Sequence, residues 1–242
     1  MPEVNIGFLG TTTGKDSEEI ERREQVANQM IDANVTYLTV ESGPLSVESD
    51  VEEAWGGVEL MPLVDRHRDE FDAFVIGCFG EPGLRPLREL TESPVVPTAA
   101  PALHTAAQLG TRFSVLTILD STEPKAREQV HEHHLADQLA SVRVVNAPVL
   151  SVDHESDSLV DRMRKIGRIA LEEDDAEVLI PGCASLSFMQ AHDDLTESLG
   201  VPFLDPVRIA LATAQLWARH GISHSSAAYP PAPRDKLDDL LG

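Results

Sequence analysis

The chain has 242 residues, 42% of them hydrophobic, enough for a core in one large domain or in two lobes of about 100–120 residues each. Its 41 acidic residues against 19 basic ones give a net charge of −22, which repels phosphate backbones and anionic lipid and argues against a nucleic-acid or membrane-surface role. Two cysteines, Cys78 and Cys183, exclude a disulfide framework and a four-cysteine zinc site, and no apolar run approaches the roughly 18 residues that span a membrane.

The opening Met1-Pro2-Glu3-Val4-Asn5 has neither a basic n-region nor a signal core, so the chain reads as cytoplasmic. It leads into a predicted strand over residues 4–9. Residues 17–33 have helical spacing, with Ile20, Val26, Met30 and Ile31 on one side and charges on the other. Short apolar, β-branched runs predict further strands at 35–40, 73–77, 113–119, 142–149 and 177–181. Helical spacing returns at 157–174, through Leu159, Met163, Ile166, Ile169 and Ala170, and again at 206–220. The tail Ser225–Arg234, with three prolines, reads as extended. Strands alternating with helices predict an α/β fold of parallel sheets covered by helices.

The acids are spread along the chain, and only four lysines occur: Lys15, Lys125, Lys165 and Lys236. Dispersed acid solvates a surface, whereas an acidic tail is an interaction segment. Acid of this kind with little lysine fits a cytoplasm rich in salt, where self-repulsion is screened.

The chain also echoes itself. Val75-Ile76-Gly77-Cys78 returns 105 residues later as Ile180-Pro181-Gly182-Cys183, and Leu90-Thr91-Glu92-Ser93 returns at the same offset as Leu195-Thr196-Glu197-Ser198. Val96-Pro97 is echoed by Val201-Pro202, and Gly43-Pro44-Leu45-Ser46-Val47 more weakly by Pro148-Val149-Leu150-Ser151-Val152. Two halves of about 105 residues follow, each a small doubly wound sheet. The division expected is residues 1–100 with about 207–242 in one lobe and 101–206 in the other.

In open parallel sheets ligands bind beyond the carboxyl ends of the strands. Both cysteines fall there, each in a strand-to-turn corner. If the halves face each other about a pseudo-twofold axis, the two thiols meet in one cleft. Two opposed thiols suit a two-base proton transfer: one thiolate takes a proton from a stereogenic carbon and the other thiol donates to the opposite face. A cysteine pKa of about 8.5 leaves both forms accessible. The amides after each cysteine, in Phe79-Gly80-Glu81 and Ala184-Ser185-Leu186, can stabilise a thiolate if they precede a helix, or an enolate oxygen. No Gly-rich dinucleotide or phosphate loop points to a cofactor. His131, His133 and His134 lie among charges and read as a solvated face rather than a metal site. Asp205-Pro206 reads as the N-cap and first residue of the last helix, with Asp205 also placed to orient Cys183 or its turn. Trp55 and Trp217 read as packing residues, and Ile209, Ala212 and Leu216 as core or an oligomer surface.

The segment Cys78-Phe79-Gly80-Glu81-Pro82-Gly83-Leu84 resembles the first cysteine motif of hydantoin racemases, and Gly182-Cys183-Ala184 resembles the second. Gly43–Ser49, Phe113–Thr117 and Val201-Pro202 with Asp205 match in order, so the resemblance runs from about residue 4 to 230. It implies membership of the aspartate/glutamate racemase superfamily, which includes allantoin racemases: cofactor-independent two-cysteine racemases of two flavodoxin-like lobes, with the active site between them. Cys78 and Cys183 carry over as the catalytic pair. The contacts to substrate expected with them are Thr11, Thr12, Ser46, Phe79, Gly80, Thr117, Ala184 and Ser185. The implied substrate is a 5-substituted hydantoin or allantoin, taken by a homo-oligomer that needs no metal.

This sequence departs from the family in three places. Gly10-Thr11-Thr12-Thr13 stands where hydantoin racemases carry Asn-Pro-Asn, Phe79-Gly80 stands where amino-acid racemases carry Asn-Thr, and the glutamate common near Ala100 is absent. The alternatives are a cysteine-nucleophile isomerase or lyase resembling maleate isomerase, an aspartate or glutamate racemase, and an inactive binding protein.

Overall fold

The computed structural model of the chain describes residues 3–152, 156–233, 235 and 237. It divides into two compact units, residues 1–97 with 210–242 and residues 98–209.

The first unit contains β1 (Asn5–Gly10), α1 (Ser17–Met30), β2 (Asn34–Thr39), α2 (Asp50–His67), β3 (Ala73–Ile76), α3 (Leu84–Leu90) and β4 (Val95–Val96). Its sheet is parallel, in the order β2-β1-β3-β4. The central strands are buried on both faces, as a sheet covered by helices requires; Ile6, Phe8, Phe74 and Ile76 have no exposed surface. Asp16 caps α1, its Oδ1 accepting from the Glu19 amide at 2.9 Å, and Ser49 caps α2 by accepting from the Glu52 amide.

The second unit contains α4 (Ala99–Leu109), β5 (Phe113–Thr117), α5 (Glu123–Glu132), β6 (Leu139–Val144), α6 (Ser156–Glu173), β7 (Val178–Pro181), α7 (His192–Leu199) and the start of α8 (Pro206–His220). Its sheet is also parallel, in the order β6-β5-β7, with a parallel bridge from Leu179 to Phe203 where the first unit has β4. The two units thus share one connectivity, and all six predicted strands and all three predicted helices are present.

The differences have local causes. The strand expected at 142–149 begins at Leu139 and stops at Val144, because Asn146 adopts a left-handed backbone (φ 59°). The helix expected to reach Ala33 ends at Met30, where Ile31 turns extended. Spacing did not single out α2: Gly56, Gly57 and Pro62 interrupt its apolar face. The tail folds a turn at Ser225, which accepts from the amides of Ala228 and Tyr229. Tyr229 then lies under the guanidinium groups of Arg85 and Arg88. Arg234, the end of the expected extended segment, lies outside the described residues.

The internal echo is partly real. Gly77 donates to the Leu9 carbonyl at 2.9 Å, and Gly182 donates to the Leu116 carbonyl at 2.8 Å, so the Gly-Cys corners correspond. The tetrapeptides do not: Leu90 ends α3 and Thr91 caps it, whereas Leu195–Ser198 lie inside α7. Nor do the Val-Pro pairs: Phe74 donates to Pro94, and its equivalent Leu179 donates to Pro202.

Candidate active site

Each cysteine opens the turn beyond the carboxyl end of a strand next to the centre of its own sheet. In the first unit β3 delivers the chain to Gly77, where a Cβ would stand 2.5 Å from a Phe8 ring carbon and 2.8 Å from the Leu9 carbonyl oxygen. Only glycine fits, so the residue before Cys78 is dictated by packing. The Cys78 carbonyl accepts from the Glu81 amide at 3.2 Å, Glu81 takes a left-handed backbone (φ 58°), and Gly83 does the same (φ 70°) before α3 begins. Cys78 is half-buried beside the core of the first unit.

Helix α2 supports this turn and the one after β1 together. A Cβ on Gly56 would stand 2.9 Å from the Thr11 carbonyl, and one on Gly57 would stand 2.8 Å from the Gly83 amide nitrogen. The glycine pair therefore lets one helix press against both turns. Glu53, one turn earlier on that face, brings its carboxylate against Gly80. Thr11, Thr12 and Ser46 are all buried beyond the ends of β1 and β2, and the Thr12 hydroxyl accepts from Lys15 Nζ at 3.0 Å. The Thr13 amide donates to the Pro44 carbonyl at 2.9 Å, which ties the turn after β1 to the loop carrying Ser46. Phe79 is buried, and Gly80 is half-buried. The five expected site residues of this unit thus lie on three adjacent turns.

In the second unit a Cβ on Gly182 would stand 2.9 Å from a Val115 methyl and 3.3 Å from Thr117 Cα. Cys183 is buried in the core and begins a 3-10 turn, Ala184–Met189, with its carbonyl accepting from the Leu186 amide at 3.1 Å. Ala184 and Ser185 are buried in that turn. Thr117 is buried at the end of β5 and shares a 2.7 Å hydrogen bond between its hydroxyl and that of Thr122.

Asp205 is the N-cap of α8, its Oδ1 accepting from the Arg208 amide at 3.0 Å. Burial pushes its carboxyl above the usual carboxylate range, against the lowering effects of the Arg208 amide, the Ser187 hydroxyl and His192. His192 Nδ1 lies 3.9 Å from Asp205 Oδ2.

Among the described residues no group of three or more His, Cys, Asp or Glu side chains could hold a metal ion, and no helix is long and apolar enough to cross a membrane. Trp55 is half exposed and donates to Glu59 at 3.1 Å, so it is not a core residue. Ala212 and Leu216 are exposed, and the buried face of α8 runs instead through Val207, Ala210, Leu211 and Ala214. Sequence reasoning passed over Glu53, Lys15, Ser187 and His192. For Glu53 the signal along the chain is the glycine pair that follows it in α2; the other three carry none.

A profile of the Asp/Glu/hydantoin racemase family matches residues 15–214. The chain belongs to that family. It is 30% identical over 204 residues to a hydantoin racemase of Paenarthrobacter aurescens, covering 84% of this chain and 86% of that one. It is 32% identical over 177 residues to a hydantoin racemase of Pseudomonas sp. (strain NS671), covering 73% and 70%. Among solved structures, an allantoin racemase from Klebsiella pneumoniae superposes with a TM-score of 0.86 at 27% identity, over 96% of this chain and 95% of that one. Maleate isomerase of Pseudomonas putida S16 shares the fold alone, at 14% identity and a TM-score of 0.65 over 91% of this chain and 94% of that one. Family membership makes this chain a racemase-type isomerase.

Proposed function

We propose that the chain racemises a 5-substituted hydantoin or allantoin by proton transfer between Cys78 and Cys183, without a cofactor. The observation that carries the reading is the paired corner: Gly77-Cys78 and Gly182-Cys183 leave equivalent strands through equivalent hydrogen bonds, and they hold the chain's two thiols. The names of the relatives supply the substrate class.

One cysteine thiolate takes the proton from the stereogenic ring carbon and becomes a thiol. The electron pair moves into the adjacent carbonyl as an enolate. The other thiol returns a proton to the opposite face and becomes the thiolate, so the enzyme ends each turnover with its protonation pattern exchanged and no net change of atoms. Thr11, Thr12, Ser46, Phe79 and Gly80 from the first unit, and Thr117, Ala184 and Ser185 from the second, are the proposed substrate contacts. Backbone amides of the two cysteine turns are the proposed donors to the enolate oxygen. The acidic, lysine-poor composition supports a protein adapted to high salt.

Proton NMR in heavy water at high salt tests this, with both enantiomers of 5-substituted hydantoins, allantoin, aspartate and glutamate. Loss of the α-proton signal from the ring substrates above the uncatalysed rate is the expected result. Exchange confined to aspartate or glutamate replaces the substrate class, and no exchange at all overturns the reading.

A further inference from the structure

Three elements of the second unit bring polar side chains together: buried Ser187 from the Cys183 turn, half-buried His192 from the first turn of α7 and buried Asp205 from the entry to α8. Around them the core is apolar, through Leu186, Leu195 and Phe203. Four of their atoms, Ser187 Oγ, His192 Nδ1, His192 Nε2 and Asp205 Oδ2, are buried without a hydrogen bond of ordinary geometry among the described residues, although the Ser187 hydroxyl stands close enough to the Asp205 carboxyl to hold it down. Buried polar atoms are nearly always paired, so a group of four in one place calls for a reason. The cap does not supply it, since capping α8 uses only Oδ1 of Asp205. The 3.9 Å from His192 Nδ1 to Asp205 Oδ2 is longer than a hydrogen bond but within reach of charge interaction. Asp193, 3.3 Å from His192 Nε2, and Arg208 are the other charged groups at this cluster.

We propose that Asp205 is a positioning residue for Cys183: its second carboxylate oxygen, with His192, holds the 3-10 turn through Ser187 and so fixes the direction of the thiol that opens it. The inference rests on the reading of Cys183 as one of two bases. A carboxylate shared by the turn, α7 and α8 fixes all three at once, and the apolar side chains around it give no directional hold of that kind.

The test uses the full-length enzyme with each enantiomer of the hydantoin it racemises, in heavy water. Racemisation needs both thiols and slows equally in both directions, because its equilibrium constant is one. Exchange of the α-proton without inversion needs only the thiol on that face. Cys183→Ser therefore identifies the enantiomer served by Cys78, as the one that still exchanges. Asp205→Asn keeps the capping oxygen, since Asn caps as well as Asp, and removes the charge. It is expected to slow racemisation by about tenfold or more while the Cys78 enantiomer exchanges within about twofold of the parent rate and the other falls with racemisation. Ser187→Ala, which leaves the cap untouched, is expected to give the same asymmetry. Equal slowing of both exchanges, or no change in either, overturns the positioning role. If Cys183→Ser itself leaves racemisation intact, the two-base reading falls first, and this inference with it.

Discussion

The two cysteine corners are built alike up to the thiol and differently beyond it. Both follow a buried strand and a glycine whose amide donates to the neighbouring strand. After Cys78 the chain runs through two left-handed residues, Glu81 and Gly83, before α3 begins. After Cys183 it enters a 3-10 turn at once, and Ser187 of that turn reaches a buried carboxyl, that of Asp205. The first corner packs against a helix with two glycines, and the second lies beside a cluster of polar side chains, Ser187, His192 and Asp205. A repeat can thus preserve a cysteine and the strand that leads to it while each copy has its own surroundings.

The largest effect expected is at the thiols. Cys78→Ser and Cys183→Ser should each lower racemisation by about a thousandfold, within the range of a lost general acid–base group, as followed by polarimetry. Each should leave α-proton exchange of a different enantiomer. If both variants leave the same one, the two corners do not serve opposite faces.

Next come the glycines. Gly77→Ala places a methyl against the rigid Leu9 carbonyl and the buried Phe8 ring, whereas Gly182→Ala meets chiefly a Val115 methyl. Urea unfolding should show a loss of about 1–3 kcal/mol for Gly77→Ala and a smaller one for Gly182→Ala. The reverse order would mean that the second corner is the more tightly packed.

One acid in each unit, Glu19 in the first and Asp205 in the second, should respond to pH in opposite senses. Burial raises the Glu19 carboxyl, but hydrogen bonds from Arg22 and Arg23 outweigh it and hold the group at about 2, below its ordinary 4.5. Its contribution to stability is therefore present above pH 4.5 and is lost as the pH falls toward 2. Asp205 is raised, so its ionisation costs stability as the pH climbs from the ordinary carboxylate value through the folded one. Thermal melts should show Glu19→Gln less stable than the parent at neutral pH, with the gap closing in acid. Asp205→Asn should match or exceed the parent at neutral pH while losing activity, the pattern of a group kept for function.

The smallest effect concerns the tail, which belongs to the first unit. Tyr229→Ala removes a ring under Arg88 and Arg85 and a hydroxyl 2.9 Å from Arg88. A loss of about 0.5–2 kcal/mol is expected, with faster proteolysis after residue 220 and no change in substrate preference.

Much of this protein follows from local rules. Alternating apolar runs and helical spacing fixed the α/β class, because strand and helix periods are short-range properties of the chain. The Gly-Cys corners were legible for a related reason: space is tight where the strand leaves the sheet, severely so at Gly77 and less so at Gly182, and glycine stands at both. The tetrapeptide echo misled, because identity of four residues does not determine whether they end a helix or lie within one. Tertiary structure alone decided the rest. The glycine pair in α2 shows its purpose only against Thr11 and Gly83, which are distant in sequence. Ser187, His192 and Asp205 are ordinary polar residues as read along the chain. They become a largely buried group, with His192 at its edge, because three elements pack together, and burial depends on everything around a residue rather than on its neighbours in sequence.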